Sequence, residues 1–235
     1  MIPLSDDNPS KTAPVVTVAI IGLCALAFIW ELRFGPRMDE ALVAFGITPS
    51  SFESGVPLNK VGLPVWATIF TAMFLHAGWL HIIGNMLFLW IFGNNIEDAM
   101  GHVRFTLFYL ICGVAAALTM AMLDPHSNTP MIGASGAISG VLAAYMLLYP
   151  RARVHTLLIL GILFYFARLR AVWVVGIWFA IQLVTAVLTP PSEPGTAWWA
   201  HVGGFAMGLI LTPLFKSRDV PFFGPYDTRG PWADG

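Results

Sequence analysis

Met131-Ile132-Gly133-Ala134-Ser135-Gly136-Ala137-Ile138-Ser139-Gly140 opens an apolar stretch that continues to Tyr149. Its serine sits where membrane-embedded sequence rarely carries one. Polar side chains at membrane depth are costly and usually functional. A second apolar stretch carries Ala200-His201-Val202-Gly203-Gly204. A serine and a histidine on two separate apolar segments are the minimum parts of a nucleophilic hydrolase.

The composition agrees with a membrane setting. Hydrophobic residues make up 57% of the chain and charged residues 11%, against roughly a quarter charged in soluble domains. With a positive mean hydropathy, the chain reads as a polytopic all-α membrane protein. The net charge of −1 gives no nucleic-acid signal and no Lys/Arg run suggests one, so no nucleic-acid partner is expected. Cys24 and Cys112 both fall in apolar stretches and read as small buried hydrophobes. The polar stretch 1–13 has no basic n-region, and the apolar run after it is too long for a signal peptide.

A span needs about 20 apolar residues, fewer where protein surrounds it. Six segments qualify: 14–32, 80–96, 105–123, 135–149, 171–188 (stopped by Pro190-Pro191) and 198–215. The expected organisation is a polar tail over 1–13, a transmembrane domain over 14–215, and a flexible tail over 216–235. The connection 35–79 is too long to lack structure of its own. Its Trp66, Phe70 and Phe74 suggest short helices lying in the interface. Residues 154–169 are apolar but bracketed by Arg151, Arg153, Arg168 and Arg170. A surface-lying segment or short strand is expected there, with a seventh span as the alternative.

Basic residues set the orientation. With both termini in the cytoplasm, the inner face receives Lys11, Arg104, the four arginines around 151–170, Lys216, Arg218 and Arg229. The outer face keeps Arg33, Arg37 and Lys60. Ser135 and His201 each begin an inward-running span, so both lie towards the same, outer face.

Ser135 opens a helix, where it could serve simply as an N-cap. Gly133 and Gly136 favour a catalytic role, because they permit a sharp turn and a close backbone approach to substrate. The free N–H groups of a helix start would also stabilise an oxyanion. A span of roughly 15 residues is about 22 Å long, against a hydrocarbon core of about 30 Å. Ser135 should therefore lie below the surface, in a cavity that admits water. Gly136 and Gly140, like Gly204 and Gly208, are spaced for close helix packing. If those faces meet, Ser135 and His201 become neighbours, with His201 as general base.

A third cluster holds His76, His81 and Asn85, the last two on one helix face. A zinc protease would need His-Glu-x-x-His, but Ile82 follows His81 and position 85 is an amide. Donors beside a nucleophile suit oxyanion stabilisation better. No carboxylate lies mid-span, which excludes aspartyl chemistry, and none is apparent beside His201 as a third triad member. No metal or cofactor is expected.

Together these residues resemble the rhomboid family of intramembrane serine proteases. Gly133-Ala134-Ser135-Gly136 is similar to its Gly-x-Ser-Gly motif, and His201-Val202-Gly203-Gly204 with Gly208 to its last-span motif. His81-Ile82-Ile83-Gly84-Asn85, after Phe74-Leu75-His76, is similar to its His-x-x-x-Asn motif. The resemblance covers residues 66–215 and implies a six-span bundle in which the first loop lies partly in the outer leaflet. It implies that Ser135 attacks and His201 acts as base. It also implies that His81, Asn85 and the Ser135 amide hold the oxyanion, and that substrates enter between the second and fifth spans. Two positions depart from the family pattern. Ser139 stands where an aromatic residue often stacks on the catalytic histidine, and Ala67 replaces the arginine of a common Trp-Arg pair.

The function expected is cleavage of single-span membrane proteins near their outer end, in a prokaryotic inner membrane. The alternative is a proteolytically inactive relative that binds or traffics transmembrane clients, which typically lacks the serine or the histidine. A transporter would show internal repeats, and the chain has none evident.

Overall fold

The structure is a computed structural model, and it describes residues 1–56, 63–189 and 197–224. Six longer helices coincide with the expected segments. They are α1 (Val15–Leu32), α5 (Trp79–Met100), α6 (His102–Leu123), α7 (Ser135–Leu148), α8 (Ala171–Leu188) and α9 (Trp198–Phe215). Four of these, α1, α6, α8 and α9, are long and apolar enough to cross a membrane. The other two fall short for identifiable reasons. α5 has the length but carries His81, Asn85, Asn94, Asn95, Glu97 and Asp98, and α7 has only 14 residues.

α5 runs four residues beyond the end of the expected segment 80–96, to Met100, and so takes in Glu97 and Asp98. Both acids belong to the helix. The buried Glu97 carboxylate accepts the backbone N–H of Val16 and of Thr17, at 2.8 Å each, and the Thr17 hydroxyl at 2.7 Å. These are orphan donors of the first turn of α1, which has no side-chain cap of its own. His102 Nδ1 meets the same carboxylate at 2.6 Å. Gly101, at φ +79°, then turns the chain from α5 into α6.

The connection after α1 holds the short helices expected of it: α2 (Met38–Phe45), α3 (Pro49–Ser54) and α4 (Val65–Ala72). Lys60, Pro190-Pro191 and the 190–196 loop lie outside the described residues. So does the tail from 225 on, including Arg229.

Beside the helices, the stretch 154–169 takes the strand conformation expected of it. Residues 153–170 form an antiparallel hairpin of β2 (Arg153–Leu160) and β3 (Leu163–Arg170), which excludes a seventh span. Gly161, at φ +63°, and Ile162 make its two-residue turn, and a glycine at the first turn position suits the twist of the strands. The stretch read as a polar tail supplies a third strand, β1 (Ile2–Asp6), paired from Ile2↔Leu157 to Asp6↔Val154. Tyr145 on α7 donates its hydroxyl to the Asp6 carboxylate. Part of the expected flexible C-terminal tail is also packed. Phe223 and Gly224 donate N–H to Leu147 and Leu148, satisfying carbonyls left open at the end of α7.

α7 is the central helix, almost wholly buried between α6 and α9. Glycine makes this possible. A Cβ on Gly136 would stand 2.6 Å from Ala116 Cβ, and one on Gly208 would stand 2.6 Å from Gly140 Cα. One on Gly204 would strike the Gly136 carbonyl. The two small-residue faces therefore meet backbone to backbone, as their spacing predicts.

Candidate active site

That seam sets the first turns of α7 and α9 side by side. Ser135 Oγ lies 2.8 Å from His201 Nε2. The serine side chain makes no helix cap, since the cap position falls on Ala134. The bland N-cap role therefore does not describe it. His201 is buried, at 7% exposure.

His201 has a partner that the sequence reading missed. Its Nδ1 lies 2.7 Å from Gln182 Oε1, on α8. An amide oxygen only accepts, so Nδ1 carries the proton and Nε2 keeps its lone pair towards Ser135. Gln182 is the chain's only glutamine. An amide within an apolar span is itself a signal, although it is not the carboxylate that a Ser-His-Asp triad sets beside its histidine. Trp178, one turn before Gln182 and on the same face of α8, packs its ring 5.8 Å from the imidazole, and Trp198 packs edge-on at 6.2 Å. These rings supply the support that Ser139 cannot. Ser139 instead donates its hydroxyl to the Ser135 carbonyl at 2.7 Å.

The chain enters α7 through Gly133, whose φ of +112° strains any other residue. A Cβ there would stand 2.7 Å from His81 Nε2 and 3.4 Å from Asn85 Nδ2. His81 and Asn85 thus converge on the space beside the Gly133–Ser135 turn. Asn85 Nδ2 is buried and has no hydrogen-bond partner among the described residues. An unpaired buried donor is destabilising unless a ligand takes it up. Ser135, as the first residue of α7, adds one of the open N–H groups of a helix start.

His76 stands behind this group rather than in it. Fully buried in the turn before α5, it meets the His81 ring edge-on at 5.0 Å and places Nδ1 3.1 Å from the Phe74 carbonyl. Its backbone N–H donates to the Glu31 carboxylate, 3.2 Å from Oε1. Burial, with His81 beside it as the second cause, pushes the His76 imidazole down to about 4. His76 is therefore a neutral brace for His81.

A cavity of about 840 Å³ opens over these groups, walled by Met73, Leu80, Phe88, Trp178 and Trp198. It lies over the Ser135–His201 pair and the two side-chain donors, which makes it the candidate site.

Residues 64–218 match the model of the Rhomboid domain. The chain belongs to the rhomboid family. It is 29% identical over 216 residues to RHOMBOID-like protein 1 of Arabidopsis thaliana, covering 88% of this chain and 49% of that protein. It is 35% identical over 134 residues to Rhomboid protease GluP of Bacillus subtilis, covering 57% of this chain and 24% of that one. Inactive rhomboid protein 1 of Drosophila melanogaster is 36% identical over 80 residues, covering 34% of this chain and 6% of that protein. The chain thus spans half or less of these relatives, which include both a named protease and a named inactive protein.

Proposed function

We propose that this rhomboid is an intramembrane serine endopeptidase that cleaves transmembrane segments of single-span membrane proteins. The observation that carries this reading is the 2.8 Å contact of Ser135 Oγ with His201 Nε2, held in one tautomer by Gln182. Ser135 Oγ attacks the peptide carbonyl while its proton passes to Nε2. The tetrahedral oxyanion is held by Asn85 Nδ2, His81 and the Ser135 N–H. Collapse expels the amine, which takes the proton from Nε2 and leaves an ester on Ser135. Water, activated by His201, then hydrolyses the ester and restores the serine.

The orienting group is an amide rather than a carboxylate, so it fixes the ring without a counter-charge for the imidazolium. The burden of charge stabilisation then rests on the oxyanion donors, usually the largest single electrostatic contribution in acyl transfer. Substrate enters between α5 and α8, whose facing rings are Phe88 and Trp178, 6.3 Å apart. The cut falls near the outer end of the substrate, in a prokaryotic inner membrane, with both termini of the enzyme cytoplasmic.

The test is turnover of a fluorescent single-span substrate in liposomes. Ser135→Ala and His201→Ala should each lower it by about 10⁴-fold or more, with folding retained and no effect of chelators. Activity surviving Ser135→Ala would remove this mechanism. Tight substrate binding without cleavage by the wild type would favour a client-binding role instead.

A further inference from the structure

β1 covers β2 only as far as Leu157, whereas β2 and β3 stay paired out to Leu160 and Leu163. Along the far half of β3, neither face is packed on the helices. Leu163, Phe164, Tyr165 and Phe166 are 66%, 66%, 62% and 71% exposed, and Ile162 in the turn is 91% exposed. Successive strand residues point to opposite faces, so both faces of this tip are apolar. An antiparallel sheet standing in water keeps one polar face, and an open apolar strand edge there invites aggregation.

The root of the hairpin is the opposite. Arg151, Arg153, Arg168 and Arg170 are all exposed, and residues 150–170 contain no acid. Among the described residues, Asp7 reaches them: it lies 3.5 Å from Arg168 and accepts the Arg153 N–H. The root is also fixed to the membrane, because Arg170 ends β3 and Ala171 begins α8, a helix apolar and long enough to span.

We infer that the β2–β3 tip is a membrane-interface anchor, seated in the anionic lipid leaflet at the α7–α8 end with its arginine root on the headgroups. Three observations lead there. A tip apolar on both faces fits the headgroup–acyl boundary, where aromatic side chains concentrate. Basic residues beside it match anionic lipid. The outer edge of β3 bounds the sheet, so its backbone groups need water, which excludes deep hydrocarbon. The expected seat is therefore shallow, about 5–10 Å below the headgroups.

The test uses the full chain in liposomes of phosphatidylcholine with and without phosphatidylglycerol. Spin labels are attached to single cysteines made by Ile162→Cys, Phe164→Cys and, at the root, Arg151→Cys. Cys24 and Cys112 are buried, and the unmutated protein gives the labelling blank. Tip labels should relax more with oxygen than with a water-soluble nickel chelate, the Arg151 label should do the reverse, and phosphatidylglycerol should deepen the tip. Arg151→Gln with Arg170→Gln should abolish that lipid dependence. Tip labels as open to nickel as the root label would overturn the proposal. Labels shielded from both reagents would also overturn it, in favour of a second copy or another protein. A depth indifferent to phosphatidylglycerol would overturn the role given to the arginines.

Discussion

The two ends of α7 use polar side chains in opposite ways. At its first turn, Ser135, His201, His81 and Asn85 converge on a shared open space, and glycines let the backbones close around them. At its last turns, Tyr145 reaches Asp6 and the carbonyls of Leu147 and Leu148 take N–H groups from the returning chain. The polar groups there bind segment to segment. A site and a fastening can be built from similar residues; what separates them is whether the groups face a space or one another.

After loss of Ser135 or His201 itself, removing a donor from the open end should have the largest effect. Asn85→Ala is expected to lower kcat by about 10²–10³-fold with little change in thermal stability, since Nδ2 has no partner to lose among the described residues. A fall in melting temperature with unchanged kcat would make Asn85 part of the fastening instead.

Acid separates the two ends next, with opposite signs. Burial pushes the Asp6 carboxyl up from 3.8 to about 6, despite the Tyr145 hydroxyl. The folded chain keeps that proton longer than the unfolded chain, so this contribution is full below 3.8 and lost as pH rises through about 6. His76 is held down from 6.5 to about 4. Its contribution is full above 6.5 and lost as pH falls through about 4. Each amounts to about 3 kcal/mol by linkage, and between about 4 and 6 they oppose one another. Compared with the unmutated chain, Asp6→Asn should therefore lose more stability towards acid, and His76→Gln should lose more towards base. Thermal denaturation in detergent across pH 4 to 7 (roughly the window in which both groups titrate) would show the two slopes, and parallel slopes would refute the assignment.

Gln182→Leu should be milder, lowering kcat by roughly ten- to a hundredfold for the loss of one buried partner, at unchanged KM. Gln182→Glu should restore most of it, because an acceptor returns to Nδ1. Smallest of all, Arg168→Gln removes a surface ion pair with Asp7 and should shift stability in detergent by about 0.5 kcal/mol or less.

Much of this was legible in the residues. Hydropathy places α1, α8 and α9 to within a residue, because each is a long apolar run with few polar interruptions. The glycine spacing predicts the α7–α9 seam, because nothing larger fits between the backbones. The sheet was only half visible. Arginines around 154–169 argue against a span, but the mate of β2 is a short segment containing Pro3, about as far away in sequence as the chain allows. Gln182 escaped because its role depends on α8 lying beside α9, which no local pattern encodes.

The pairing of Ile2 with Leu157 also orders events in time. At a synthesis rate of roughly 5–20 residues per second, residues 2–6 leave the ribosome on the order of 10 s before the strand they join. The segment that emerges earlier must wait, unpaired, while α1 to α7 are made. Docking of β1 is thus a late step that records the arrival of residues 154–157, and a chain halted before them would carry its N-terminal strand loose.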